Sequence, residues 1–192
     1  MNRAVLILSL ILPVVLCAPV LSPADHGFFP IYNVTHLSTT EGDVYNFHSP
    51  GFNYTFNGRN RFGFFSSISV LFPLWSNQNG ESFKNSDYYK SKLGTDIMIG
   101  AGRKFSVSER FILVPSTGVH LNGIRLRGKE LYRDFNNLSM GIGLNLQARY
   151  GISRRIDGTV SVSTAWDFVD LIHQGNKVRN GFVLTPGLGL TF

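Results

Sequence analysis

Residues 138–150, LSMGIGLNLQARY, alternate strictly between two kinds of side chain for thirteen positions. Successive side chains of an extended chain point to opposite faces. Leu138, Met140, Ile142, Leu144, Leu146, Ala148 and Tyr150 therefore line one face, and Ser139, Gly141, Gly143, Asn145, Gln147 and Arg149 the other. A strand of ordinary length has about 5–6 residues. A run of this length constrains the chain to long β-ribbons with one greasy face and one small or polar face.

The pattern recurs along the chain. In 158–168, Val160, Val162, Thr164, Trp166 and Phe168 oppose Thr159, Ser161, Ser163, Ala165 and Asp167. Segments 62–72, 93–105, 111–121 and 182–192 alternate in the same way, and 28–37 and 47–56 do so more weakly. That predicts eight strands. The connections 57–61, 106–110 and 153–157 are short and polar, whereas 38–46, 73–91, 122–137 and 170–181 are longer and rich in turn residues. Short and long connections alternate, as expected of an eight-stranded antiparallel up-and-down barrel with tight turns at one rim and loops at the other.

The identity of the non-apolar face places that barrel. A water-facing exterior is dense in Lys and Glu. Here the second face is Gly, Ser, Thr and Asn with a few isolated charges, which suits a narrow interior. Aromatic residues gather near strand ends on the apolar face: Phe62, Trp75, Phe105, Phe111, Tyr150, Trp166, Phe168 and Phe192. Girdles at the two interfaces of a bilayer have this distribution. Beyond the N-terminal segment, no apolar run approaches the length of a membrane-spanning helix. The reading is an all-β transmembrane barrel, with a lipid bilayer as its first partner.

The N-terminal segment reads as a targeting signal. Arg3 precedes the apolar run 4–16, which is too short to span a bilayer, and the small residues Ser22 and Ala24 follow. The expected cut lies after Ala24, giving 1–24 as signal peptide and 25–192 as the barrel domain. An uncleaved anchor is the alternative. Cys17, the single cysteine, leaves with the signal unless it is lipidated instead, and Leu16 before it departs from the small residue of a lipoprotein signal. Loss of Arg3 takes the formal charge from +6 to +5. No cofactor, thiolate metal site or nucleic-acid partner is expected.

The last segment, FVLTPGLGLTF, ends on alternating apolar residues and a phenylalanine. It resembles the final strand of the small bacterial outer-membrane barrels of the OmpX, OmpW and OmpA-barrel group. That resemblance implies the outer membrane of a diderm bacterium, a monomer, and passage by periplasmic chaperones to the barrel-assembly machinery. Leu184, Leu188, Leu190 and Phe192 would carry the assembly signal. Members often end in Tyr-x-Phe, and Leu190 stands in place of that Tyr.

Function is then sought in the interior and the loops. Asp96, His120, Gln147, Arg149 and Asp167 are expected inside, with Lys104 and Asn145, as a polar network that fixes register. Within it, Arg149 is expected to meet Asp167 on the next strand. The inward glycines (Gly100, Gly118, Gly141 and Gly143 among them) instead suggest a solute path. Arg125, Arg127, Lys129 and Arg133 form a basic patch in the third long loop, suited to an anionic glycolipid, a polysaccharide or a host ligand. Arg59, Arg61, Arg103, Lys104, Arg110, Arg154 and Arg155 make the short-turn rim cationic. His36, Ser38 and Glu41 loosely resemble the His-x-Ser plus Glu set of lipid A deacylases. The leading expectation is a non-catalytic, surface-exposed anchor, antigen or adhesin-like protein. The alternative is a narrow OmpW-like channel for small, even hydrophobic, solutes; a lipid-modifying enzyme is the third.

Overall fold

The computed structural model describes residues 24–58, 62–130, 132–174 and 177–192. Residues 1–23 of the expected signal peptide, with Cys17, and the rim residues Arg59 and Arg61 lie outside these. The elements are β1 (Ala24–Thr39), β2 (Val44–Gly58), β3 (Phe62–Leu71), β4 (Trp75–Gln78), β5 (Glu81–Lys84), a single-turn helix α1 (Asn85–Tyr88), β6 (Tyr89–Arg103), β7 (Phe105–Ser106), β8 (Phe111–Gly128), β9 (Phe135–Gly151), β10 (Asp157–Gln174) and β11 (Val178–Thr191). β1, β2, β3, β6, β8, β9, β10 and β11 pair in sequence order, all antiparallel. The ring closes where β1 pairs with β11. Exchange of both backbone hydrogen bonds between His26 and Phe192, each 2.8 Å, fastens the two ends of the ring together.

Side-chain alternation decides what faces where. On β9, Ile142, Leu144 and Leu146 are exposed on the outer wall, while Asn145, Gln147 and Arg149 are buried in the lumen. β10 repeats this with Val160, Val162 and Trp166 outside, and Thr159, Ser161 and Asp167 inside. Leu146 keeps 48% of its surface and Trp166 keeps 60%, whereas Arg149 keeps 1%. In water this arrangement would expose the apolar residues and bury the polar ones at a cost on both faces. In lipid both costs reverse, and closure leaves no strand edge unpaired around the ring.

The long connections are shorter than the sequence suggests. Residues 122–128 continue β8, and residues 135–137 begin β9, so the third loop contracts to 129–134. The first contracts to 40–43 in the same way. Only the connection from β3 to β6 stays long, and it folds into the β4–β5 hairpin and α1. The apolar segments ended where outward residues become polar, but the backbone ladder runs on past that point. β8 and β10 have 18 residues each. At about 3.3 Å per residue and a tilt near 40°, they rise about 45 Å, against an apolar band of about 25 Å. The wall therefore stands well clear of the bilayer at the end away from the chain termini.

Toward that end the lumen is apolar. Leu37, Phe47, Ile124, Leu126 and Val178 pack together, with Tyr45, Tyr89 and Phe135 against them. The Phe47 and Phe135 rings lie 5.2 Å apart. Lower down, Phe29, Ile31 and Leu71 form a second cluster.

Candidate functional site

The lumen holds two polar clusters, one near mid-height and one at the short-turn rim. His120 on β8, Gly141 on β9 and Asp167 on β10 share one register row. Gly141 has no side chain, so the imidazole and the carboxylate meet across it. His120 Nδ1 lies 2.7 Å from Asp167 Oδ1, and Nε2 lies 3.1 Å from Asp96 Oδ2 on β6. Ser139 donates to the second oxygen of Asp167 at 2.8 Å. Asn33 donates to Asp96 at 3.4 Å and to Thr185 at 2.8 Å, and Thr35 donates to Asn33 at 2.8 Å. Six strands of the barrel are tied together at this level.

At the rim, Arg149 Nη1 and Lys104 Nζ each lie 2.6 Å from Asp25 Oδ2. Arg149 also donates through Nε and Nη2 to Gln147 Oε1, at 3.1 and 2.7 Å. Asn57 donates to the same oxygen at 3.4 Å. The expected pair of Arg149 with Asp167 does not form. Arg149 is the register partner of Thr159, and Asp167 that of Gly141. Eight residues of offset separate the two along the ladder, about 26 Å at the strand rise. The partner that sequence reasoning missed is Asp25, which falls before the first clear alternation on β1 yet points inward like Phe29.

Asp96, His120, Gln147, Arg149 and Asp167 thus all face the lumen, in two separate groups. The inward glycines do not border a passage. A Cβ on Gly100 would run into the carbonyl oxygen of Thr117, one on Gly118 into that of Ile99, and the Met98 sulfur covers Gly143. These glycines let neighbouring backbones and side chains approach closely.

The basic patch is divided between wall and turn. Arg125 and Arg127 are on β8, exposed on the outer wall beside Leu93 and Ser91 of β6. Lys129 and Arg133 lie in the turn. Lys129 donates to the Ser86 carbonyl of α1 at 2.7 Å, and Tyr132 packs edge-on to Tyr88 at 4.8 Å. At the opposite rim, the Arg103 guanidinium lies over the Phe105 ring at 4.8 Å. Leu184, Leu188, Leu190 and Phe192 are exposed in a row on the outer wall.

The outer wall also holds the His36 and Ser38 pair. Glu41 is exposed in the β1–β2 turn, and the residue on His36 is Asn46 of β2, at 2.7 Å. Ordinary alternation places His36 and Ser38 on one face. It could not select Asn46, which depends on the β1–β2 register.

No protein-family model matches the chain, and no curated protein is significantly similar to it. Solved structures do share its fold. Neisserial surface protein A superposes with a TM-score of 0.58 at 13% identity, covering 86% of this chain and 95% of that one. The outer membrane protein OprG from Pseudomonas aeruginosa gives 0.54 at 10% identity, covering 88% and 95%. Ail, the attachment invasion locus protein of Yersinia pestis, gives 0.50 at 11% identity, covering 88% and 99%. The resemblance read from the terminal strand is borne out at the level of fold. A closed ring of eight antiparallel strands, apolar outside and largely polar within, gives this chain the fold of the small eight-stranded outer-membrane β-barrels.

Proposed function

We propose that the protein works through its outer wall and its projecting rim, as a surface-exposed anchor or adhesin-like binder, and not by conduction. The observation that carries this reading is the interlocking of side chains at three heights of the lumen. Arg149, Gln147, Asp25 and Lys104 interlock at one end, His120 with Asp96 and Asp167 in the middle, and the Leu37–Phe47–Ile124–Leu126 cluster at the other. Eight strands enclose a space that side chains can fill. Arg125, Arg127 and Arg133 supply exposed positive charge where an anionic glycan or a host ligand would arrive. Ail, named for attachment and invasion, is a barrel of this fold, and its name favours the same kind of role here.

Planar-bilayer recording on the folded protein tests this. The expected result is a silent membrane; reproducible single-channel steps would overturn the reading and favour the channel. A binding role further expects that Arg125→Glu with Arg127→Glu abolishes retention on a sulfated polysaccharide while the gel shift of the folded barrel is kept.

The outward row Leu184, Leu188, Leu190 and Phe192 is proposed to address the chain to the barrel-assembly machinery. Deleting Phe192 then lowers the amount of barrel reaching the outer membrane in cells by about tenfold, an effect of roughly 1.4 kcal/mol if read as a partition. Refolding of the same variant in detergent should proceed. Equal membrane levels with and without Phe192 would count against the signal.

A further inference from the structure

One side-chain cluster on the outer wall is ordered as a reacting site. Ser38 Oγ stands 3.3 Å from His36 Nε2, and His36 Nδ1 stands 2.7 Å from Asn46 Oδ1. An amide oxygen only accepts, so Nδ1 carries the ring proton and Nε2 turns its lone pair to the Ser38 hydroxyl. A hydroxyl beside a base, with the base oriented by a third group, is the arrangement that activates serine as a nucleophile.

Three further observations converge on these residues. The β1–β11 register slips between Ser38 and Thr39. Such bulges re-aim side chains and are over-represented beside active sites. Asn180 of β11 is the register partner of Ser38 and is exposed, so its amide is a neighbour able to donate to a developing oxyanion. Lastly, the wall changes character at this level. On β11 the exposed Leu184 and Phe182 give way to Asn180, and Phe182 is the register partner of His36. Trp166 follows Phe182 on the same row, in the position of an interfacial aromatic. The cluster stands where acyl chains end and headgroups begin.

We propose that Ser38, His36 and Asn46 form a serine-hydrolase site on the outer wall, acting on the acyl ester of a membrane lipid. Ser38 Oγ adds to the ester carbonyl carbon as His36 Nε2 takes the hydroxyl proton. Asn180 donates to the oxyanion that forms. Collapse breaks the bond to the alcohol oxygen, His36 returns the proton to it, and the deacylated lipid leaves. Water then attacks the acyl-serine with His36 as base, which releases the fatty acid and restores Ser38. Asn46 holds the imidazole in the required tautomer throughout. The step is hydrolysis, so water is the only co-reactant. This goes beyond the binding role and rests only on the outward-facing wall, not on the state of the lumen. It also departs from the expectation of a non-catalytic barrel, and it takes Asn46 rather than Glu41 as the third member.

The test uses the folded protein purified from membranes, added to vesicles of a diacyl phospholipid or, separately, of lipopolysaccharide. Fatty acid released is measured, and a gel confirms that each variant remains a folded barrel. Wild type should release acid in one arm or both, and the arm identifies the lipid. Ser38→Ala and His36→Ala should each lower release by about a thousandfold or more. Asn180→Ala should lower it by about a hundredfold, and Glu41→Gln should leave it unchanged. A long-chain fluorophosphonate should label Ser38, and Asn46→Ala should slow that labelling. Release no greater than from Ser38→Ala in both arms, with Ser38 unlabelled, would overturn the site. Labelling without release from either lipid would overturn the substrate class. Channel steps in a barrel that still hydrolyses lipid would sink the closed-lumen reading and leave this one standing.

Discussion

Replacing His120 with Ala should cost the barrel about 3–5 kcal/mol of folding stability, the range for breaking a buried ion cluster by removing one partner. The imidazole lies between two carboxylates, 2.7 Å from Asp167 and 3.1 Å from Asp96. Without it, both carboxylates remain buried, on the same lumen level, with no positive group between them. Ser139 and Asn33 still donate to one oxygen each, which offsets a fraction of the loss. Urea unfolding in phospholipid vesicles, followed by tryptophan fluorescence, reads the effect as a lower midpoint. Adding Asp96→Asn and Asp167→Asn to His120→Ala should restore part of it, because neutral amides can hydrogen-bond to each other. An unchanged midpoint for the single variant would mean that lumen water already solvates the cluster.

Leu146→Arg should be the next most damaging single change, at about 2–4 kcal/mol for an arginine on the lipid face near the bilayer midplane. Leu146 is exposed on β9, with Pro115 and Val162 as its cross-strand neighbours. Tyr150 toward one rim and the Ile142–Trp166 row toward the other place it midway across the apolar band. The reverse change outside the band, Arg127→Leu, should move stability by no more than about 0.5 kcal/mol. Comparison of the two midpoints in vesicles checks the assignment. Equal small effects would place Leu146 outside the lipid.

Parity carried much of this architecture into view. Strict alternation at 138–150 and 158–168 sufficed to sort Gln147, Arg149 and Asp167 from Leu146 and Trp166. Parity says nothing about register, and contacts inside a barrel depend on register. Arg149 and Asp167 share an interior yet sit at different heights; His120 and Asp167, separated by a glycine, meet. Strand length was hidden for a related reason. Hydropathy marks where lipid ends, while a ladder continues as long as backbone groups find partners. Residues 122–128 read as loop because Arg125 and Arg127 are polar, although Ile124 and Leu126, which alternate with them, are inward-facing core residues. Asn46 was missed because an orienting group on a neighbouring strand has no signature in the local sequence.

The projecting wall has a consequence for anything that approaches this protein from solution. Most of what it meets there is β-ladder rather than flexible loop. A preordered surface loses little freedom when it is covered, so each contact contributes nearly its full strength to association. The same stiffness limits how such a surface can vary. A loop can change by insertion, but a closed ladder tolerates mainly replacement, one outward side chain at a time, since a one-residue slip turns every neighbour inside out. A protein built this way would alter what it presents as a mosaic of point changes on a fixed lattice.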